Sequence, residues 1–89
     1  ADEPYLAVFP NPYTGYTNIS YKVEEVSDVN LVIYNLIGEE IYRVQNASVL
    51  PGVYNLKFSG NDYGYASGVF MVQLTLGNEI TTKRIVEVE

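Results

Sequence analysis

The sequence predicts an all-β fold, a seven-stranded antiparallel immunoglobulin-like β-sandwich. Three observations carry that expectation. Apolar and polar residues alternate with a period of two through most of the chain, the pattern of strands that bury one face. No window places apolar residues at i, i+3, i+4 and i+7 over a helical length, so essentially no helix is expected. Turn residues punctuate the chain roughly every 8 to 12 positions, which is the spacing of sandwich strands.

The first strand is Tyr5-Leu6-Ala7-Val8-Phe9, stopped by Pro10-Asn11-Pro12, because proline cannot donate to a ladder and bends the chain. Thr17 to Val23 follows, with Ile19, Tyr21 and Val23 on one face and Asn18, Ser20 and Lys22 on the other. Glu24 to Asp28 reads as a polar turn. Val29 to Tyr34 is the third strand, with Leu31 and Ile33 toward the core. Asn35-Leu36-Ile37-Gly38 turns the chain into a fourth strand, Glu40 to Val44. Pro51-Gly52 predicts a type II turn, in which proline presets φ at the second position and glycine supplies positive φ at the third.

Beyond that turn Tyr54, Leu56 and Phe58 alternate cleanly with Val53, Asn55 and Lys57. Ser59 to Ala66 is a loop by composition. Ser67-Gly68 opens a strand with Phe70, Val72 and Leu74 inward. Gly77-Asn78 is a two-residue hairpin turn that pairs the last two strands antiparallel. Gly38, Gly52, Gly68 and Gly77 are all read as backbone requirements at turns and strand starts. The expected organisation is a linker end at Ala1-Asp2-Glu3-Pro4 and one domain over residues 5–89, within the usual single-domain range of about 50 to 250 residues.

Composition narrows the function. Five Lys and Arg against eleven Asp and Glu give a net charge of −6. Nucleic acid is therefore not an expected partner, since phosphate binding needs a basic stripe. The chain has no Cys and no His, which removes thiol chemistry, disulfides, the commonest general base and the commonest transition-metal ligand. No enzymatic activity and no cofactor are expected. Glu24, Glu25 and Asp28 in one turn and Asn61 and Asp62 in another offer oxygen ligands. They lack calcium-loop spacing, so no metal is expected. No apolar run reaches the roughly 18 to 20 residues of a transmembrane helix. The lack of an initiator Met and of a signal peptide suggests a mature or excised piece of something longer.

The end of the chain is unusual in pattern. Ile80, Ile85, Val86 and Val88 form a strand-like run to the terminus, with Lys83 and Arg84 side by side within it. Charges on an edge strand commonly do no more than prevent indiscriminate pairing, whereas an exposed edge also offers backbone groups to a partner. The sequence leaves open which of Ile85 and Val86 points inward. Nine tyrosines, with Tyr13 and Tyr16 in one loop and Tyr63 and Tyr65 in another, raise carbohydrate stacking as an alternative. Tyrosine on a half-buried pleated surface is the favoured account, since the chain has no Trp and Tyr21 and Tyr54 already take inward phases.

Four fragments in order are similar to one family. Pro10-Asn11-Pro12, Tyr34-Asn35-Leu36-Ile37-Gly38, Ser67-Gly68-Val69-Phe70 and Thr82-Lys83-Arg84-Ile85-Val86 resemble the motifs of the C-terminal sorting domain of type IX secretion cargo from the Bacteroidetes. The resemblance spans about Phe9 to Val88. It differs at Glu39, where Arg, Gln or Lys is common, in a shorter loop after Phe58, and in the Glu-Val-Glu ending. It implies a gingipain-type folded tag recognised by the outer-membrane translocon, commonly removed by an associated signal-processing protease. Its cargo would pass through the periplasm to the cell surface or the medium. On this reading Lys83, Arg84, Ile85, Val86 and Val88 are the partner-recognition residues. Pro10, Asn11, Pro12, Gly38, Pro51, Gly52, Ser67, Gly68, Gly77 and Asn78 shape turns and strand starts, and the terminal edge also offers a route to a dimer. The alternatives are an immunoglobulin-like spacer of a secreted protein and a small carbohydrate-binding module.

Overall fold

The computed structural model describes residues 5–89, so the predicted linker at Ala1-Asp2-Glu3-Pro4 lies outside the described residues. Eight strands form in the order β1 (Leu6–Phe9), β2 (Tyr13–Thr14), β3 (Thr17–Val23), β4 (Ser27–Asn35), β5 (Glu40–Val49), β6 (Gly52–Phe58), β7 (Val69–Leu76) and β8 (Glu79–Val88). They make two sheets, a three-stranded β1-β3-β6 and a five-stranded β2-β8-β7-β4-β5. The only helical segment among the described residues is a single 3-10 turn, Gly60–Tyr63. The expected sandwich is therefore present.

Two details of the expectation need correcting. There are eight strands rather than seven, and the sandwich is not wholly antiparallel, because β2 runs parallel to β8. Two residues cannot display an alternation, and the flanking prolines read as a stop, so β2 leaves no periodic trace. β5 also runs to Val49 rather than Val44. Its second half, Gln45 to Ser48, is exposed and polar, and register shifts at both ends of its pairing with β4 blur the pattern.

The inward phases follow the alternation. Ile19, Tyr21 and Val23 of β3 meet Leu31 and Ile33 of β4 and Phe70, Val72 and Leu74 of β7 in one cluster, with Phe58 closing one end. Each fully buried aliphatic side chain contributes about 1.5–3 kcal/mol relative to exposure. Tyr21 stacks on Tyr54 across the β3–β6 pair with centroids 5.5 Å apart. Of the two undecided residues, Ile85 is inward and fully buried, while Val86 lies on the outer face.

The glycines divide. Gly38 (φ 88°) and Gly77 (φ 58°) hold the positive φ their turns require. Gly52 does not sit at the left-handed corner of a type II turn: with φ 157° it opens β6 opposite Val23. Gly68 has no positive φ and open space around it, so no backbone constraint explains it. Gly60, not singled out by sequence, is the constrained one, because a Cβ there would run into the Phe70 ring.

The register also fixes which ends share a pole. Val49 lies opposite Ser27 and leads through Leu50-Pro51 into Gly52, whose partner is Val23. Leu6, paired with Tyr21, therefore starts β1 near that pole, beside the Gly77-Asn78 turn. Val88 ends β8 at the other pole of a body 38 Å long.

Candidate functional site

The site is the terminal strand and the segment that wraps it. β8 borders the five-stranded sheet, with β7 on one side and, on the other, only the two residues of β2. Between β1 and β3 the Pro10-Asn11-Pro12 segment leads into Tyr13–Thr14 and forms a strap across the outer edge of β8. Thr17 Oγ1 donates to the Pro10 carbonyl at 2.7 Å and pins the base of the strap.

Asn11 acts as a side-chain substitute for a neighbouring strand. Its Nδ2 donates to the Arg84 carbonyl at 2.9 Å, and its Oδ1 accepts the Val86 N–H at 3.0 Å. One carboxamide thus satisfies the two edge groups that a strand partner would have taken. Two residues on, Tyr13 pairs with Glu87 and Thr14 with Val88 in parallel register. The outer edge of β8 is occupied from Arg84 to Val88. Among the described residues, no strand pairs with Glu79 to Lys83 on that side.

Beneath the strap lies a charge that sequence reasoning missed. Glu87 is 2% exposed. Its Oε1 accepts the Tyr13 hydroxyl at 2.7 Å and the Gly60 N–H at 2.7 Å, while Oε2 is buried without a partner. Its own N–H donates to the Gly68 carbonyl at 2.8 Å, which extends the β7–β8 ladder. Glu87 therefore ties four segments together: β8, the strap, the 3-10 turn and the start of β7. Burial pushes the Tyr13 phenol well above its ordinary value, and the Glu87 hydrogen bond and charge push it further. A signal existed, since Thr81, Ile85 and Glu87 share one phase of the strand. A carboxylate is normally read as solvated, however, and its partner Tyr13 is 74 positions away.

The predicted recognition residues do not form one patch. Arg84, Val86 and Val88 lie on the outer face of β8, beside Val69 and Met71 of β7. Lys83 is on the inward phase yet exposed, reaching solvent where the strap ends. Ile85 is core, so only its backbone is on offer. Pro10, Asn11 and Pro12 join this site directly, and Gly68 joins it through the Glu87 amide, with Ser67 only its chain neighbour. Pro51, Gly52, Gly77 and Asn78 sit at the far pole.

Near the pole where Val88 ends, the Asn35-Leu36-Ile37-Gly38 turn is rigid. Asn35 Oδ1 accepts the N–H groups of Ile37 and Glu39 at 3.1 and 2.9 Å, and Asn35 Nδ2 donates to Glu39 Oε1 at 2.6 Å. Glu39, which departs from the family pattern, is thereby a structural part of the turn.

The loop tyrosines divide: Tyr16 is exposed with Lys57 Nζ 4.6 Å above its ring, and Tyr63 is also exposed. Tyr13 is buried, Tyr63 stacks on Phe58 with centroids 5.8 Å apart, and Tyr65 meets Phe70 edge-on. Among the described residues, no three acidic side chains converge to hold a metal ion, and no helix is long and apolar enough to cross a membrane.

Taken from its fold and site, this is an immunoglobulin-like sandwich module whose own early segment clasps its terminal strand. The family is shown directly: the model of the secretion system C-terminal sorting domain matches residues 7–89, and the chain belongs to that family. It is the sorting signal of a type IX secretion cargo, which implies interaction with the secretion machinery and export of that cargo to the cell surface or the medium. A search of curated proteins finds no match to the chain.

Proposed function

We propose that the secretion machinery reads this domain through β8, without chemistry by the domain itself. Lys83, Arg84, Val86 and Val88 supply the exposed side chains, and Ile85 holds the strand in place from within. The cargo crosses the periplasm with the domain already folded. The translocon engages β8, and an associated protease then separates the tag. The observation that carries this reading is the exposed basic pair on the edge strand of a domain with a net charge of −6. Complementary charge at a rim mainly sets orientation and encounter rate. A second copy could pair only along Glu79 to Lys83, so a dimer through this edge would be short.

Removing the last strand outright is a poor test, because it also removes buried Ile85 and Glu87. The sharper experiment reverses the charges in the full cargo precursor, Lys83→Glu with Arg84→Glu, expressed in a host with a working type IX system. Export should fall about tenfold or more as complementary charges become repulsive. Stability should stay within about 0.5 kcal/mol, as for other exposed positions. Wild-type export of that variant would overturn the β8 reading.

A further inference from the structure

We infer that the strap from Pro10 to Thr14 is a gate over the docking edge of β8, closed in the free domain and displaced when the machinery engages. This rests on the reading that β8 is the recognised element, and it states how access to that element is regulated.

The strap occupies the part of β8 that an incoming strand would need. Asn11 takes the Arg84 carbonyl and the Val86 N–H, and β2 covers Glu87 and Val88. What remains uncovered among the described residues, Glu79 to Lys83, is half the strand. A partner adding a strand along the full basic and apolar stretch must take the place of the strap. The geometry suits replacement, because Asn11 presents the same donor and acceptor that an extended backbone would bring.

The latch is also made of the right material. An apolar residue at position 87 would have sealed the strap by packing alone. The structure instead buries a carboxylate whose Oε1 holds the Tyr13 hydroxyl and whose Oε2 has no partner. On opening, the carboxylate and the phenol both regain water, so the open state is less disfavoured than it would be for an apolar seal. In the closed state the same bond accepts only one register. A polar latch of this kind holds specifically and releases without the loss of a core side chain other than Tyr13. The core residue of β8 itself, Ile85, keeps its place throughout.

A disulfide tests the gate, and the absence of native cysteines leaves the experiment clean. Thr14 and Val88 are paired across β2 and β8, both on the outer face, so Thr14→Cys with Val88→Cys can lock the strap shut. The double variant is placed in the full cargo precursor in a type IX host, with the bond checked on a nonreducing gel. Thr14→Ser with Val88→Ser carries the same side-chain losses without the bond. The locked chain should be at least as stable as wild type, so lost export cannot be assigned to unfolding.

The expected result is export about tenfold or more lower for the locked chain than for the serine version, whose own export sets the baseline for loss of the Val88 side chain. Equal export of the locked chain and the serine version overturns the gate and leaves the β8 reading standing, since the outer face of β8 is presented alike in both. Normal export of the Lys83→Glu/Arg84→Glu chain defeats the β8 reading itself. Amide exchange gives an independent measure. The Val86 N–H should exchange through local opening that is insensitive to denaturant, and Asn11→Ala should accelerate it. Exchange of that amide only by global unfolding would also overturn the gate.

Discussion

The five-stranded sheet ends in two different ways. On one side β5 presents its outer edge from Glu40 to Val49 with no strand covering it among the described residues. It is protected by chemistry: Glu40, Arg43, Gln45, Asn46 and Ser48 are exposed, Arg43 binds Glu40 at 2.7 Å and reaches Asn30, and the pairing is bulged. On the other side β8 carries Ile80, Ile85, Val86 and Val88, and half its edge is physically covered by a strap. A polar, irregular edge can be left open, whereas a regular apolar one invites pairing unless something lies over it. The sheet thus has one edge that repels any strand and one that is kept in reserve.

The contrast breaks most severely at Ile85. Ile85→Ala should cost about 2–5 kcal/mol in urea unfolding, since the side chain is fully buried beside Phe70. Val44→Ala on β5, which is only half-buried, should cost clearly less. Equal losses would mean that the two edges are anchored alike.

Next is the latch. Glu87→Leu removes the acceptor of Tyr13 and Gly60 and should destabilise by about 1–3 kcal/mol. Glu87→Gln keeps an acceptor and should lose less. Combining Glu87→Leu with Tyr13→Phe should recover part of the loss in a double-mutant cycle, which reports the coupling between strap and strand. A stabilised Glu87→Leu chain would show that the carboxylate contributes nothing to closure.

The strap should also give the clasped edge a pH dependence. Because the folded phenol of Tyr13 is raised above 10.0, its contribution is complete below that value. It is lost as pH climbs from there toward the folded value, because the unfolded chain releases the proton first. Alkaline unfolding profiles should therefore fall above pH 10, and less steeply in Tyr13→Phe. Tyr21 shifts in the same direction through burial, so part of the slope should remain.

The smallest effect belongs to β5. The Arg43 hydrogen bond holds the Glu40 carboxyl below its usual value, so any stabilisation is present above the ordinary carboxylate range and is lost as pH falls through the depressed one. Both side chains are well exposed, so Glu40→Gln should leave the melting temperature essentially unchanged. Glu40→Val with Arg43→Val should instead produce oligomers on size exclusion, by giving β5 the apolar character of β8 without its cover.

What was legible in the sequence follows from this division. Alternation located seven strands and the inward phases of β3, β4, β6 and β7, because each displays at least three repeats of its pattern. The Gly77-Asn78 hairpin was legible because its geometry is local. The strap was not. Its contacts depend on Asn11 meeting Val86 and Tyr13 meeting Glu87, pairs 75 and 74 residues apart, and a two-residue strand has no period. The terminal basic pair was visible as a motif. That its two members point to opposite faces, and that Ile85 between them and Glu87 is core, required the register of β8 against β7.

The parallel course of β2 and β8 has a mechanical consequence. In a C-terminal sorting domain the cargo precedes β1, so the chain comes in at one pole and passes up through β1 into the strap, while β8 ends at Val88 at the other pole. A pull between cargo and terminal strand draws β2 and β8 past one another along their lengths. The Asn11 bonds, the ladder and the Tyr13–Glu87 bond then bear the load together, in shear, rather than parting one after another as a zipper would. The clasp that a partner can replace sideways is thus the part of the domain best placed to withstand being towed.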